Sequence, residues 1–300
     1  MKKIKTLRVE DLQKAAVLLR EGELVAFPTE TVYGLGAPIF SPQAIQKIFT
    51  VKQRPQSNPL IAHVANLEQV DQIAQNLPPV FFTLAKAFFP GPLTLIVEKK
   101  EEVPSLVSAN LNTVAIRMPA HSLARALIEA VGEPLVAPSA NLSGRPSSTC
   151  AAHVVADFAD KIAAVIDGGS CEYGMESTVI DCVSFEKPTL LRLGSLEKEA
   201  IEKVLGYKLD TYTRGPKSSP GMQYRHYAPK AKVHVFSTQE ELEAYVQGNS
   251  SVFVLAPVEA KTLYALLRTA DEQGYSEVAL CSEGCQNETV LNRLSILATH

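Results

Sequence analysis

Three short polar clusters in this 300-residue chain carry residue types that could do chemistry. The first, FPTETVYGLGA at 27–37, sets the hydroxyls of Thr29, Thr31 and Tyr33 and several backbone amides around Gly34 and Gly36. That suffices to hold a small ligand, although in isolation an ordinary tight turn explains it better. The second, KQRPQSNPL at 52–60, places Lys52 and Arg54 two apart and ahead of Pro55. A point charge beside a planar fork could clamp a phosphate chain; a solvated basic loop is the equal alternative. The third, APSANLSGRPS at 137–147, puts small hydroxyl and amide groups straight after an apolar run. Ligand crevices form in this way at the carboxyl ends of strands, and a capped loop-to-helix junction explains the cluster nearly as well. Arg117 ends the apolar run 114–116 and could meet a carboxylate or form a surface ion pair. His63 lies within an apolar strand, where a satisfied core histidine is the commoner outcome. Neither GxxxxGK[ST] nor HExxH occurs, and Gly34-Leu35-Gly36 lacks the rest of GxGxxG. Phosphate binding, if present, must come from the loops above.

Those clusters need a framework to present them. Val9, Leu12, Ala15, Ala16 and Leu19 recur at a helical period over 9–21. Strands are expected at 24–27, 60–64, 93–97, 114–118, 135–137, 164–166, 178–182 and 189–193, with PTETVYGLGAP a turn-rich segment. Helices are expected from Ser41-Pro42, an N-cap followed by proline, and at 67–75, 80–88, 122–130, 151–158 and 196–205. Some strands follow one another without a helix, which points to a mixed α/β sheet rather than an alternating parallel one. The pattern lapses over 207–230, then strand–helix units resume from 233 to 297. The expected division is a catalytic domain at 1–206, a linker or lid at 207–230 and a small α/β domain at 231–300.

Composition excludes several classes. Hydrophobic residues make up 46% and charged residues 20%, so a packed core is expected. A net charge of -3 argues against a surface that grips nucleic acid throughout, so any positive potential must be local. The most apolar window, 79–97, is broken by Lys86, Pro90, Gly91 and Pro92, which is unlike a membrane span. Five cysteines without paired CxxC motifs, and an N-terminal MKKIKTLRVEDLQ lacking the apolar stretch of a signal peptide, fit free thiols and a cytoplasmic location.

Taken in order, FPTETVYGLGA, KQRPQSNPLIAHV, PGPLTLIV, TVAIRMPAH, APSANLSGRPS and ESTVID resemble the YrdC-like family of L-threonylcarbamoyladenylate synthases. The resemblance covers 1–205 and continues into SPGMQYRHYAP at 219–229, similar to the linker of the longer, two-domain branch. Leu291-Asn292-Arg293-Leu294 fits that branch, while SILATH at 295–300 replaces its basic end. The resemblance implies a twisted mixed sheet with helices, followed by a Rossmann-like α/β domain. It also implies that L-threonine, bicarbonate or CO2 and ATP react to threonylcarbamoyl-AMP and pyrophosphate for tRNA modification. By the same resemblance, Lys52, Arg54, Ser139 and Asn141 line the phosphate end, and Asn58, Thr113, Ser147, Arg192 and Tyr224 contact other parts of ATP. Thr31, His63, Arg117, Ala137 and Ser177 would hold threonine, with Mg2+ carried on the triphosphate and not in a protein cage. The implied partner is the complex that transfers the threonylcarbamoyl group to tRNA, and a weak direct RNA contact is compatible with the fold. Met222, Tyr224, His226 and Tyr227 crowd one stretch of the linker, which suits a lid over the nucleotide better than a spacer, with docking of the two domains as the alternative. Two rivals are an RNA-binding module without catalysis and a carbamoyl-handling enzyme of hydrogenase maturation. The near-neutral charge and the lack of zinc-finger cysteine pairs count against them.

Overall fold

The computed structural model describes residues 4–184, 186–212 and 227–298. Among these, eleven strands form one mixed sheet. In spatial order they are Lys5–Leu7, Ala164–Ile166, Val25–Phe27, Gly34–Pro38, Leu135–Val136, Ile61–His63, Thr113–Arg117, Leu93–Glu98, Thr178–Asp181, Thr189–Arg192 and Asp210–Thr211. Parallel and antiparallel pairings are interspersed along it, as expected of consecutive strands lacking crossover helices.

Side-chain alternation divides this sheet into two unlike faces. One face buries Leu60, Ala62, Val64, Val114 and Ile116 in a large core shared with the helices Pro42–Lys52, Pro79–Phe88 and Ala151–Phe158. The other face is covered at one end by Leu12–Arg20 and Ser122–Val131, whose Ala15, Ala16, Leu19, Ala124, Leu127 and Ile128 pack on Val25, Phe27 and Leu135. Beyond them, among the described residues, lies a small cluster: Ile61, Ile96, Ala115, Val179 and Leu191, with Tyr212 packed against it. The polar residues of interest emerge where the helical cover stops.

Local chemistry explains the elements that matter most. The Ser41 hydroxyl caps the Ala44 amide at 3.3 Å and opens Pro42–Lys52 as expected. Gln53, left-handed at φ 54°, ends that helix and turns the chain between Lys52 and Arg54. The turn-rich reading of PTETVYGLGAP needs correction at its end, because Gly34–Pro38 is a strand between Val25–Phe27 and Leu135–Val136. Two glycines weaken strand propensity, but pairing on both sides overrides it. Gly36 is required there, since a Cβ would sit 2.8 Å from the Phe27 ring. The expected helix at 67–75 shrinks to Val70–Ile73.

A second sheet of three parallel strands sets Glu277–Cys281 between Lys232–Phe236 and Val252–Val254. Three helices accompany it: Gln239–Gly248, Ala260–Glu272 and Glu288–Ala298. Its core takes in Met175, which belongs to the stretch before Thr178–Asp181. Among the described residues no helix is long and apolar enough to cross a membrane.

Gly194 packs tightly on the stretch before Thr178–Asp181: a Cβ there would lie 2.3 Å from the Ser177 carbonyl carbon and 2.4 Å from the Glu176 oxygen. Gly194→Ala is expected to cost about 1–3 kcal/mol through overpacking. Gly248→Ala, with nothing within 4 Å, should be neutral or slightly stabilising. Urea unfolding of both variants checks this, and equal midpoints would refute it.

Candidate active site

The parallel register pairs Ile61 with Ala115 and His63 with Arg117. Residues two apart share a face, so His63 and Arg117 stand together where the helical cover ends. An isolated bridge from Gly34 to Ser139 draws the first cluster onto the third. The result is a cleft of about 690 Å³, its open mouth included, walled by all three clusters. Four arginines (Arg54, Arg117, Arg145, Arg192) and one carboxylate (Glu176) line it. The local field is therefore cationic, although the chain carries a net charge of -3.

At one end Arg117 is buried and held by three hydrogen bonds. It donates to Glu30 Oε1 at 2.6 Å, Thr31 Oγ1 at 2.8 Å and the Gly91 carbonyl at 3.3 Å. The surface ion pair considered from sequence is thus a buried one, both side chains 4% exposed. Burial opposes ionisation of Glu30, but the Arg117 charge prevails and holds its carboxyl below the usual range. Among the described residues these bonds use three of the five guanidinium N–H groups. His63 Nδ1 lies 3.3 Å from the Ile61 carbonyl, and its ring meets Phe27 edge-on. Burial first, then the neighbouring Arg117 charge, pushes its pKa down to about 3. A neutral imidazole results near pH 7, suited to hydrogen bonding and too weakly basic for general-base work.

The 137–147 loop forms the opposite wall. Ser139, Asn141 and Ser147 line the cleft, with Ala137 at the loop's start. Asn141 Nδ2 donates to the carbonyls of Leu142 and Arg145, while its Oδ1 is buried without a partner among the described residues. Arg54 donates to the carbonyls of Asn58 and Pro59 at 3.2 and 2.9 Å, which sets its guanidinium in the wall. Arg192 clasps Ser177 through the carbonyl and hydroxyl oxygens, and Thr94 shares a hydrogen bond with the same hydroxyl.

The structure brings ten predicted residues to the cleft: Thr31, Arg54, His63, Arg117, Ala137, Ser139, Asn141, Ser147, Ser177 and Arg192. Lys52 needs correction. The left-handed turn at Gln53 sends its ammonium inward, 1% exposed, to the carbonyls of Ser139 and Asn141. It is a prop beneath the loop rather than one arm of a clamp. Asn58 is buried behind Arg54 and is not part of the lining. Thr113 is also absent from the lining: it starts its strand, level with Pro59 by register, and faces a separate depression beside Gln75 and Glu98. Tyr224, with most of the expected lid, lies outside the described residues; Tyr227 just beyond it lines the cleft.

Sequence reasoning missed Glu30, Arg145, Glu176 and the buried network around Asp157. Asp157 accepts from the Leu142 amide, Arg145 and Arg268, and Arg268 donates in addition to the Pro146 carbonyl. Glu30 and Glu176 stood inside recognised motifs, and their charges amid apolar neighbours were the available signal. Arg268 offered none, being 111 residues from its partner.

Two outcomes follow for stability. Between pH 6.5 and about 3 the unfolded chain binds a proton that folded His63 refuses, so stability falls as pH falls through that window. His63→Asn should lessen this acid-side slope by about 1.4 kcal/mol per pH unit; parallel denaturation series at several pH values would show it, and equal slopes exclude it. Lys52→Met leaves two carbonyls without their donor and should cost about 1–3 kcal/mol. An unchanged unfolding midpoint would mean the prop is dispensable.

Comparison with known proteins finds relatives over most of the chain. Residues 17–194 match the Sua5/YciO/YrdC family, described as "Telomere recombination". Residues 196–296 match "Threonylcarbamoyl-AMP synthase, C-terminal domain". The chain is 50% identical over 235 residues to a Pyrococcus abyssi protein named threonylcarbamoyl-AMP synthase, covering 76% of this chain and 69% of that one. A Bacillus subtilis protein of the same name is 45% identical over 290 residues, covering 93% and 81%. The crystal structure of P. abyssi Sua5 complexed with L-threonine superposes with a TM-score of 0.93 at 40% identity, covering 99% of this chain and 97% of that one. A cationic cleft built from these motifs, on this fold, places the chain in the Sua5/YciO/YrdC family.

Proposed function

We propose that this chain is an L-threonylcarbamoyladenylate synthase: it joins L-threonine, bicarbonate or CO2 and ATP into threonylcarbamoyl-AMP and pyrophosphate, for threonylcarbamoyladenosine modification of tRNA. The observation that carries the reading is the cleft lined by four arginines and one carboxylate, in a chain of net negative charge. The relatives named threonylcarbamoyl-AMP synthase and the relative complexed with L-threonine support the same reading.

The threonine ammonium gives up one proton to solvent, and the free amine adds to CO2 and releases a second N–H proton to solvent as the carbamate forms. A carbamate oxygen then attacks the α-phosphorus, the P–O bond to the β-phosphate breaks, and pyrophosphate leaves with the electron pair. Nucleotidyl transfer of this kind depends mainly on positioning and charge stabilisation. Arg54, with Ser139 and Asn141 propped by Lys52, takes the phosphate end. Ser147 and Arg192 take other parts of the nucleotide, with Asn58, Thr113 and Tyr224 assigned there by resemblance alone. Arg117 offers its two remaining N–H groups to the amino acid's carboxylate, beside Thr31, neutral His63, Ala137 and Ser177. Among the described residues no cluster of three His, Cys, Asp or Glu could hold a metal. Mg2+ arriving with ATP would rest on phosphate oxygens and water, with the partnerless Asn141 Oδ1 as a protein oxygen, and would offset triphosphate charge. The complex that passes the product to tRNA is the expected partner.

Incubation with ATP, L-threonine and bicarbonate should release pyrophosphate and form a labile adenylate. Arg54→Ala should lower that rate by about 10²–10³-fold, by analogy with loss of one charge-stabilising donor. Threonine should exceed serine by about 1–3 kcal/mol for one methyl group, and valine should be rejected more strongly. Equal rates with threonine and valine would remove a hydroxyl-reading pocket, and no adenylate at all would remove the function.

A further inference from the structure

The helices Ala260–Glu272 and Glu288–Ala298 send two side chains out of the small domain and into the wall of the cleft. Arg293, 1% exposed, donates through Nε to the Tyr264 hydroxyl at 3.1 Å. Its Nη2 reaches Glu176 Oε2 at 3.3 Å and the Leu193 carbonyl at 2.9 Å. The Tyr264 hydroxyl lies 3.0 Å from Glu176 Oε2, and the Ser147 hydroxyl lies 2.5 Å from Glu176 Oε1. Both Glu176 and Ser147 line the cleft.

Donor and acceptor identities fix the direction of this chain. Arginine can only donate, so the Tyr264 oxygen accepts from Arg293 and must give its own proton to Glu176. Burial disfavours a charged Glu176, but Arg293, then Arg192, and the Ser147 bond hold its carboxyl below the usual range. A carboxylate only accepts, so the single proton of the Ser147 hydroxyl is committed to it. What Ser147 presents to the cleft is therefore lone pairs alone. A hydroxyl so held cannot donate to a phosphate oxygen, which has no proton to return. It can accept from an O–H or N–H group.

We infer that Arg293, Tyr264 and Glu176 are positioning residues that make Ser147 an acceptor, through which the C-terminal domain lets the cleft recognise a hydrogen-bond donor on the nucleoside part of ATP. The inference rests on the nucleotide reading of this cleft. The donor is a ribose hydroxyl or the exocyclic amine of the base. The C-terminal domain is then a working part of the nucleotide site, not only a support for the linker.

The test is nucleotide binding by titration calorimetry, using ATP, 2′-deoxy-ATP, 3′-deoxy-ATP and ITP, with pyrophosphate release measured separately. The full chain should bind one of the three analogues about 10-fold or more weakly than ATP, and which one identifies the donor group. Ser147→Ala should weaken ATP and erase that discrimination. Glu176→Gln should do the same, because its amide can donate to Ser147 and free the serine proton. Combining the two should add little to Ser147→Ala alone, since both break one chain. Tyr264→Phe keeps the ring packed on Tyr227 and should give a smaller loss in the same direction, with threonine KM unchanged. Discrimination that survives in Ser147→Ala, or effects that add in the double variant, would overturn the inference. A chain that binds ATP with the expected discrimination but releases no pyrophosphate would instead overturn the proposed reaction and leave the acceptor role standing.

Discussion

Asp157 is the carboxylate on which the shape of the cleft depends. Its side chain is fully buried, and so is that of Arg268, which meets it from the C-terminal domain at 2.8 Å. The same two oxygens take the Leu142 amide and Arg145, and Arg268 extends to the Pro146 carbonyl and the Ser148 hydroxyl. One ion pair thus fastens both ends of the Asn141–Ser147 wall to a helix more than 100 positions away in sequence. Removing one partner of such a pair leaves an uncompensated buried charge, a cost of about 3–5 kcal/mol. The Ala228 amide adds a further tie, donating to the Gly144 carbonyl at 2.9 Å. The loop can be polar, glycine-containing and largely withdrawn from solvent at once because its backbone groups are met from two directions.

The placement of charge around the cleft follows from how each group is anchored. Arg117 is fixed by Glu30, Arg145 by Asp157, and Lys52 by two carbonyls. Every one of these groups is held rigidly before any ligand arrives. Preorganised charge of this kind needs no reorganisation when negative charge develops, which is what nucleotidyl transfer demands. His63 follows the same rule: burial and Arg117 keep it neutral, so it adds no further charge at the Arg117 end of the cleft.

The fold was legible in the sequence to the extent that local rules govern it. Ser41-Pro42 opened a helix where capping predicts, the apolar runs at 60–64, 93–97 and 114–118 became the strands Ile61–His63, Leu93–Glu98 and Thr113–Arg117, and consecutive strands without helices produced a mixed sheet. Gly34–Pro38 escaped because nothing in Gly-Leu-Gly-Ala-Pro favours a strand; its neighbours on both sides impose the conformation. Thr113 marks another limit. The expected strand at 114–118 stopped short of it, and although it shares a face with Arg117 it sits at the strand's far end, in a separate depression.

The sequence by itself determined the family resemblance, the order of the polar clusters and their attachment to strand ends, since each is written in contiguous residues. Tertiary structure alone decided which way those residues face. Lys52 and Arg54 look like a matched pair until a left-handed Gln53 sends one inward and leaves the other in the wall. Glu176 looks like part of a strand motif until Ser147, Tyr264 and Arg293 converge on it from positions 29 residues before and 88 and 117 residues after. Hydrogen-bond direction and buried charge pairing depend on contacts between distant segments, and no local pattern encodes them.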